Sequence, residues 1–205
     1  MGGGWDAEKL TCETPTYLRG VELQKADLTG ARLQGAGLWE AQLQGADLRY
    51  AQLQGAKLIL AQLQGDLMGA QLQGAELYGA ELQGAFLMGA QLRGADLSSA
   101  QLKGAELYGA ELQGADLRGA QLKGAYLRGA QFGGANLSRA NFTDAEYLDR
   151  AHFHDPDTSL FAWAWADKPP IGLPEGVEIE LCVYDGIIHR RSKRPTPCIP
   201  PDPAK

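Results

Sequence analysis

Residues 41–60 read AQLQGADLRYAQLQGAKLIL, in which Ala41, Ala46, Ala51 and Ala56 recur every five residues, each followed two places later by Leu43, Leu48, Leu53 or Leu58. A period of five fits neither the 3.6 of an α-helix nor the uninterrupted 2.0 of a long strand. Glycine at the fifth place, as at Gly45 and Gly55, would also weaken a helix by about 1 kcal/mol at each occurrence. On extended chain, however, two residues spaced two apart point to one side, while the residues between and after them point away. Glycine then supplies a tight corner. Four such sides close a square coil of about 20 residues, and coils stacked about 4.8 Å apart pair their backbones with one another.

The pattern runs outward from this stretch over residues 16–155. Its central place is filled 28 times from Leu18 to Phe153, by Leu in 24 quintets, by Phe132, Phe142 and Phe153 in three, and by Tyr147 in one. Ala stands two places earlier in 25 of the 28, with Thr16, Val21 and Gly65 as exceptions, so the consensus is AxLxG. Two departures break the count. One residue is missing after Gln64, so that Gly65 must turn the corner and take the Ala place together. One residue is added between Ala145 and Ala151, which predicts a bulge around Leu148 to Arg150.

These tandem quintets, such as Ala41-Gln42-Leu43-Gln44-Gly45 and Ala115-Asp116-Leu117-Arg118-Gly119, resemble the pentapeptide repeat family, whose pattern is A(D/N)Lxx. The resemblance covers residues 16–155 and implies an all-β fold, a right-handed quadrilateral β-helix of about seven coils, roughly 34 Å tall at strand spacing. Gln replaces the family's Asp or Asn in many quintets, which makes the outer surface less acidic. Some members of that family resemble DNA in shape and charge, bind DNA gyrase and protect it from quinolones. The resemblance therefore also implies an alternative function here, that of a DNA-mimicking protein that binds gyrase and protects it from inhibitors.

Residues 20 apart stack on one face, which sorts the quintets into four columns. Two opposite columns are rich in glutamine, one through Gln42, Gln62, Glu81, Gln101 and Gln121, the other through Gln52, Gln71, Gln91, Glu111 and Gln131. Amides at that spacing donate and accept along a ladder, so these columns are read as structural. The column centred on Leu67, Leu87, Leu107 and Leu127 instead carries Met68, Phe86, Met88, Tyr108 and Tyr126 outward. Its opposite shows Trp39, Ile59, Leu60 and Tyr78. Contiguous exposed apolar surface marks contact sites, and Met and aromatics are enriched there, so Met68, Phe86, Met88, Tyr108 and Tyr126 form the candidate partner surface.

Composition excludes several classes. The chain has 27 glycines in 205 residues, about twice the usual share, which suits a repeat. Its net charge is −6, and residues 16–155 carry 12 basic and 15 acidic side chains, a net −3. That is too little positive charge for direct nucleic-acid binding and too little negative charge for a convincing DNA mimic. The three cysteines, Cys12, Cys182 and Cys198, share no close spacing and suggest free thiols. Met1-Gly2 lacks the Ser or Thr at position 6 of a myristoylation motif, where Asp6 stands. No stretch reads as a signal or a membrane span, which leads to the expectation of a cytoplasmic protein without membrane contact.

Residues 1–15 are expected to cap the first coil and residues 156–176 the last. Phe161, Trp163 and Trp165 suit either a lid over the final coil or a dimer contact. Residues 177–205 read as a β-hairpin turning at Asp185-Gly186, followed by a flexible proline-rich tail with Arg190, Arg191, Lys193 and Arg194 at its start. His152 and His154 flank Phe153 and are a conceivable metal pair, but His-x-His alone is a weak signal. No nucleophile–base arrangement, phosphate-cradling loop or CxxC pair is present. The sequence is thus read as a non-catalytic scaffold without cofactor or metal, binding a protein partner or forming a homodimer.

Overall fold

The computed structural model describes residues 18–155, 160–165, 170–173 and 180–182. The quintets form a right-handed quadrilateral β-helix. Each side of the coil is a single bridge residue, the one before the central Leu, paired in parallel with its counterpart one coil on. Four ladders result. The first runs from Glu22 to Asn141, the second from Asp27 to Glu146, the third from Arg32 to His152 and the fourth from Gly37 to Asn136. The second ladder has seven members, Asp27, Asp47, Asp66, Phe86, Glu106, Tyr126 and Glu146, which gives the seven coils expected.

Corners follow from one turn repeated. The amide of each Ala donates to the carbonyl of the Leu three residues before it, as Ala46 does to Leu43 at 3.0 Å, and the residue between them, Gly45, has φ 69°. An i to i+3 bond with positive φ at the third position is the geometry of a type II turn, which is why glycine recurs there. The central Leu and the Ala side chains of the coils from Leu28 to Ala140 line a dry interior, each at most 2 % exposed. Burial of each Leu is worth about 1.5–3 kcal/mol as an upper bound, so the stacked column, and not the outer faces, holds the rod together.

Both departures in register resolve inside the fold. At the deletion Gly65 takes the Ala place, since its carbonyl accepts from Phe86 at 3.0 Å, and Asp66 re-enters the second ladder by donating to Ala46 at 3.1 Å. Leu63 and Leu67 on either side are fully buried. At the insertion the chain forms a 3-10 turn, Leu148–Arg150, after Tyr147 enters the left-handed region at φ 55°. This corrects the assignment of Tyr147 to the interior: Leu148 is 5 % exposed and fills the central place, whereas Tyr147 is 44 % exposed. The extra residue leaves two registers open after Phe142, and the 3-10 turn selects the one that buries the side chain without a hydroxyl.

Around the last coil, Phe132 stacks on Phe153 with ring centroids 5.2 Å apart, and both meet Phe142 nearly edge-on. Beyond it the chain pairs with the coil's exposed end. Strand β1, His154–Asp155, is antiparallel to β2, Leu160–Phe161, and Ala162 donates to the Phe153 carbonyl at 2.7 Å. Ile171 adds one further rung to the first ladder by bridging Asn141 in parallel. Strand β3, Trp163–Trp165, pairs in parallel with β4, Glu180–Cys182. The side chains of Phe161, Trp163 and Trp165 lie outside the described residues, as do the N-terminal cap over 1–15, the Asp185-Gly186 turn of the expected hairpin, and the tail. The first strand of that hairpin is thus seen only through its pairing with β3.

Candidate functional site

The four faces use two different side-chain chemistries. On the second and fourth faces a short acid or amide before the Leu caps the backbone locally. Asp47 accepts from the Arg49 amide at 3.1 Å, Asp66 from Met68 at 3.0 Å, Asp96 from Ser98 at 3.0 Å and Asn136 from Ser138 at 3.1 Å. Asp and Asn are short enough to reach the amide two residues on. Gln is too long for that bond, and on the first and third faces it reaches along the rod. There Gln24 donates to Gln42 at 2.6 Å, Gln54 to Gln71 at 2.5 Å and Gln83 to Gln101 at 2.5 Å, while Gln44 donates to Gln62. The ladder expected from sequence exists, but it is diagonal: the donor follows the Leu of one coil and the acceptor precedes the Leu of the next.

With two faces committed to amide ladders, the second face stands apart. Met68, Phe86, Met88, Tyr108 and Tyr126 all lie on it, Phe86 at 43 % exposure and the others half-buried. The Tyr108 and Tyr126 rings stack at 6.1 Å, and Tyr147 comes to 6.3 Å from Tyr108. Desolvation first, and then the neighbouring Tyr147, holds the Tyr108 hydroxyl above the ordinary tyrosine range. At the other end Tyr50 is 57 % exposed and lies over Gly69, where a Cβ would stand 2.7 Å from its ring. The Met and aromatic stripe therefore extends from Tyr50 to Tyr147, longer at both ends than the five residues read from sequence.

Tyr50 occupies a corner with φ 59°, a conformation that costs a side chain roughly 1–2 kcal/mol relative to glycine. Leu60 does the same on the fourth face with φ 57° and is 49 % exposed. The signal for both is a bulky residue at the fifth place of a quintet, where the consensus is Gly.

Acidic residues share the second face, and Arg49 compensates two of them. Arg49 binds Asp47, with Nη2 to Oδ2 at 2.5 Å, and lies 3.7 Å from Asp66. The Arg49 guanidinium holds the Asp47 carboxyl below the usual range, and Thr29 does so for Asp27 by hydrogen bonds. The fourth face begins apolar, with Trp39 over Lys57 at 5.2 Å, and ends polar. A groove of about 380 Å³ runs there past Tyr78, Ser98, Arg118 and Arg139, with Arg118 tied to Asp116 at 2.7 Å. His152 stands at the end of the third ladder, and the side chain of His154 lies outside the described residues. Among the described residues no group of three or more metal-ligating side chains forms, and no helix is long and apolar enough to cross a membrane.

Among curated proteins no relative matches the chain. Several solved structures are similar to it. HetL, a pentapeptide repeat protein involved in heterocyst differentiation regulation from Nostoc sp. strain PCC 7120, is 31 % identical over 74 % of this chain and 73 % of its own, with a TM-score of 0.44. A pentapeptide repeat protein of the Arabidopsis thaliana thylakoid lumen is 37 % identical over 50 % of this chain and 68 % of its own, with a TM-score of 0.39. QnrB1, a plasmid-mediated fluoroquinolone resistance protein, is 20 % identical over 69 % of this chain and 80 % of its own, with a TM-score of 0.48. The family model for pentapeptide repeats matches in eight copies, over residues 16–35, 26–65, 66–107 and 105–144. With most of its length matched in this way, and with the coil geometry to go with it, the chain belongs to the pentapeptide repeat family.

Proposed function

We propose that this chain is a non-catalytic interaction scaffold whose second face engages a protein, either a different one or a second copy. The observation that carries this reading is the stripe from Tyr50 to Tyr147, in which Met and aromatic side chains stay half-exposed while the glutamine faces link their side chains along the rod. Rigid β-helical stacking presents such a stripe without a backbone ordering cost at binding, and Tyr, Phe and Met are the residue types that anchor interfaces. The gyrase-protecting alternative draws less support. A DNA mimic needs an unbroken acidic surface, whereas the acids of this face are interrupted by Phe86 and Tyr126 and bound by Arg49.

The test is a photo-crosslinking side chain placed at position 108 on the stripe and, as control, at position 101 on the glutamine face, expressed in the source cells. Adducts formed from 108 and absent from 101 are the expected result. Equal labelling from both positions, or none from 108, would overturn the reading.

A further inference from the structure

The outward residues of the second face are segregated by sign. The column preceding the central Leu holds the acids Asp27, Asp47, Asp66, Glu106 and Glu146 and no base. From Thr29 to Arg128 the column following it holds the bases Arg49 and Arg128 and no acid, and its other members are apolar or hydroxylated; beyond them Asp149 follows Leu148. Each column also contributes apolar anchors, Phe86 and Tyr126 in the first, Met88 and Tyr108 in the second. Segregation of this kind makes the face complementary to itself under one symmetry operation and not under the other.

We propose that the second face pairs with the second face of another copy about a two-fold axis parallel to the rod, so that the two β-helices run side by side in the same direction. This rests on the reading of that face as a protein-binding surface and names its partner. A two-fold axis along the rod exchanges left and right and keeps height, so from Asp27 to Glu106 each acid-bearing position meets a base-bearing, apolar or hydroxyl-bearing position of the same coil. Asp47 then faces Arg49 of the second copy, Phe86 faces Met88, Glu106 faces Tyr108 and Tyr126 faces Arg128. A two-fold axis across the rod would instead keep left and right and invert height. It would lay acids on acids, with Asp47 against Glu146, and Phe86 against Glu106. Like charges placed opposite one another disfavour that arrangement, so the charge pattern selects the parallel pair. Six coils at about 4.8 Å by a side about 10 Å wide give a strip smaller than a standard interface of about 800 Å² per partner. The expected dimer is therefore reversible.

Sedimentation equilibrium of the full chain over a wide concentration range is expected to show monomer and dimer, with Met88→Asp weakening the dimer at least about tenfold. Arg49→Asp and Asp47→Arg are each expected to weaken it and an equimolar mixture of the two variant chains to restore it as a heterodimer, an outcome that the ion pair within one chain would not give, since both variants lack it. Orientation is read with Cys12, Cys182 and Cys198 changed to Ser in the full chain. A mixture of Phe86→Cys and Met88→Cys chains is expected to form the mixed disulfide in preference to a mixture of Phe86→Cys and Glu106→Cys. Preferential linkage of 86 to 106, a dimer indifferent to Met88→Asp, or a monomer at every concentration would overturn the proposal. A monomer that still forms stripe-specific adducts with a different protein would remove the dimer and leave the scaffold reading standing, whereas a monomer without such adducts would remove both.

Discussion

Gly65 and Ala46 approach so closely that a Cβ on Gly65 would stand 2.5 Å from the Ala46 carbonyl oxygen. The contact is the consequence of the missing residue: Gly65 takes the Ala place, and no positive-φ residue precedes it as at the other corners. That oxygen is also the acceptor for the Asp66 amide, so it has no freedom to retreat. Gly65→Ala is expected to cost about 1–3 kcal/mol through a clash with backbone. Gly84→Ala is a useful comparison, because a Cβ there meets nothing within 4 Å and only its φ of 63° is unfavourable. Urea midpoints of the two variants should differ in that order, and equal losses would show that the deletion site relaxes freely.

The glutamine ladders are expected to contribute little net stability. Each donor amide gains one bond, or two at Gln64, but the Oε1 atoms of Gln44, Gln54, Gln64, Gln73 and Gln113 are buried without a hydrogen-bond partner among the described residues. A hydrogen bond nets about 0.5–1.5 kcal/mol and an unmade buried one costs about 1–3 kcal/mol, so the two offset. Gln44→Met, which removes both terms and keeps the length, should leave thermal stability within about 1 kcal/mol of the parent. A loss well beyond that would show that the ladder holds coils together as well as setting their spacing.

The one-sided spacing of Ala and Leu made the coil legible from the sequence, because only extended sides with tight corners put both inside. The amide ladders were legible as ladders, but not their diagonal, which arises from the offset between the residue after one Leu and the residue before the next. Tyr147 and Leu148 were indistinguishable by spacing, since the inserted residue allows either to follow Phe142, and only the 3-10 turn decides between them. Tyr50 was missed at the stripe's end because corner positions read as glycine sites and not as carriers of surface. The parallel pairing of Trp163–Trp165 with Glu180–Cys182 is a long-range contact that local patterning does not encode.

Acid should loosen the N-terminal coils first. Asp47 is held below its ordinary pKa by the Arg49 guanidinium, and Asp27 by its hydrogen bonds from Thr29. A carboxyl whose folded pKa lies below its unfolded value of about 3.9 contributes stability that is complete above that value and is lost as pH falls through the folded one. Urea midpoints should therefore hold steady from neutral pH to about pH 5 and decline below about pH 4. Asp47→Asn keeps an acceptor for the Arg49 amide and removes the titration, so its decline should be shallower. An unchanged slope would show that the ion pair with Arg49 is too exposed to matter.

The end of the rod poses the opposite problem, because a stack of parallel coils leaves its last ladders open unless something pairs with them. Ile171 donates to Ala140 at 2.9 Å and accepts from Phe142 at 2.8 Å, and Ala162 caps Phe153 in the same way. A chain ending at Pro156 loses all three bonds and exposes the Phe132, Phe142 and Phe153 stack. The loss should be about 2–5 kcal/mol, felt locally, since solenoid coils report mainly to their neighbours. Hydrogen exchange should show protection falling between residues 121 and 153 while the coils around Leu43 to Leu77 keep theirs. Light scattering on the same pair of chains separates the two roles of the Phe161, Trp163 and Trp165 segment. Loss of protection at unchanged mass makes it a cap, and a halved mass with the coils still protected makes it an interface.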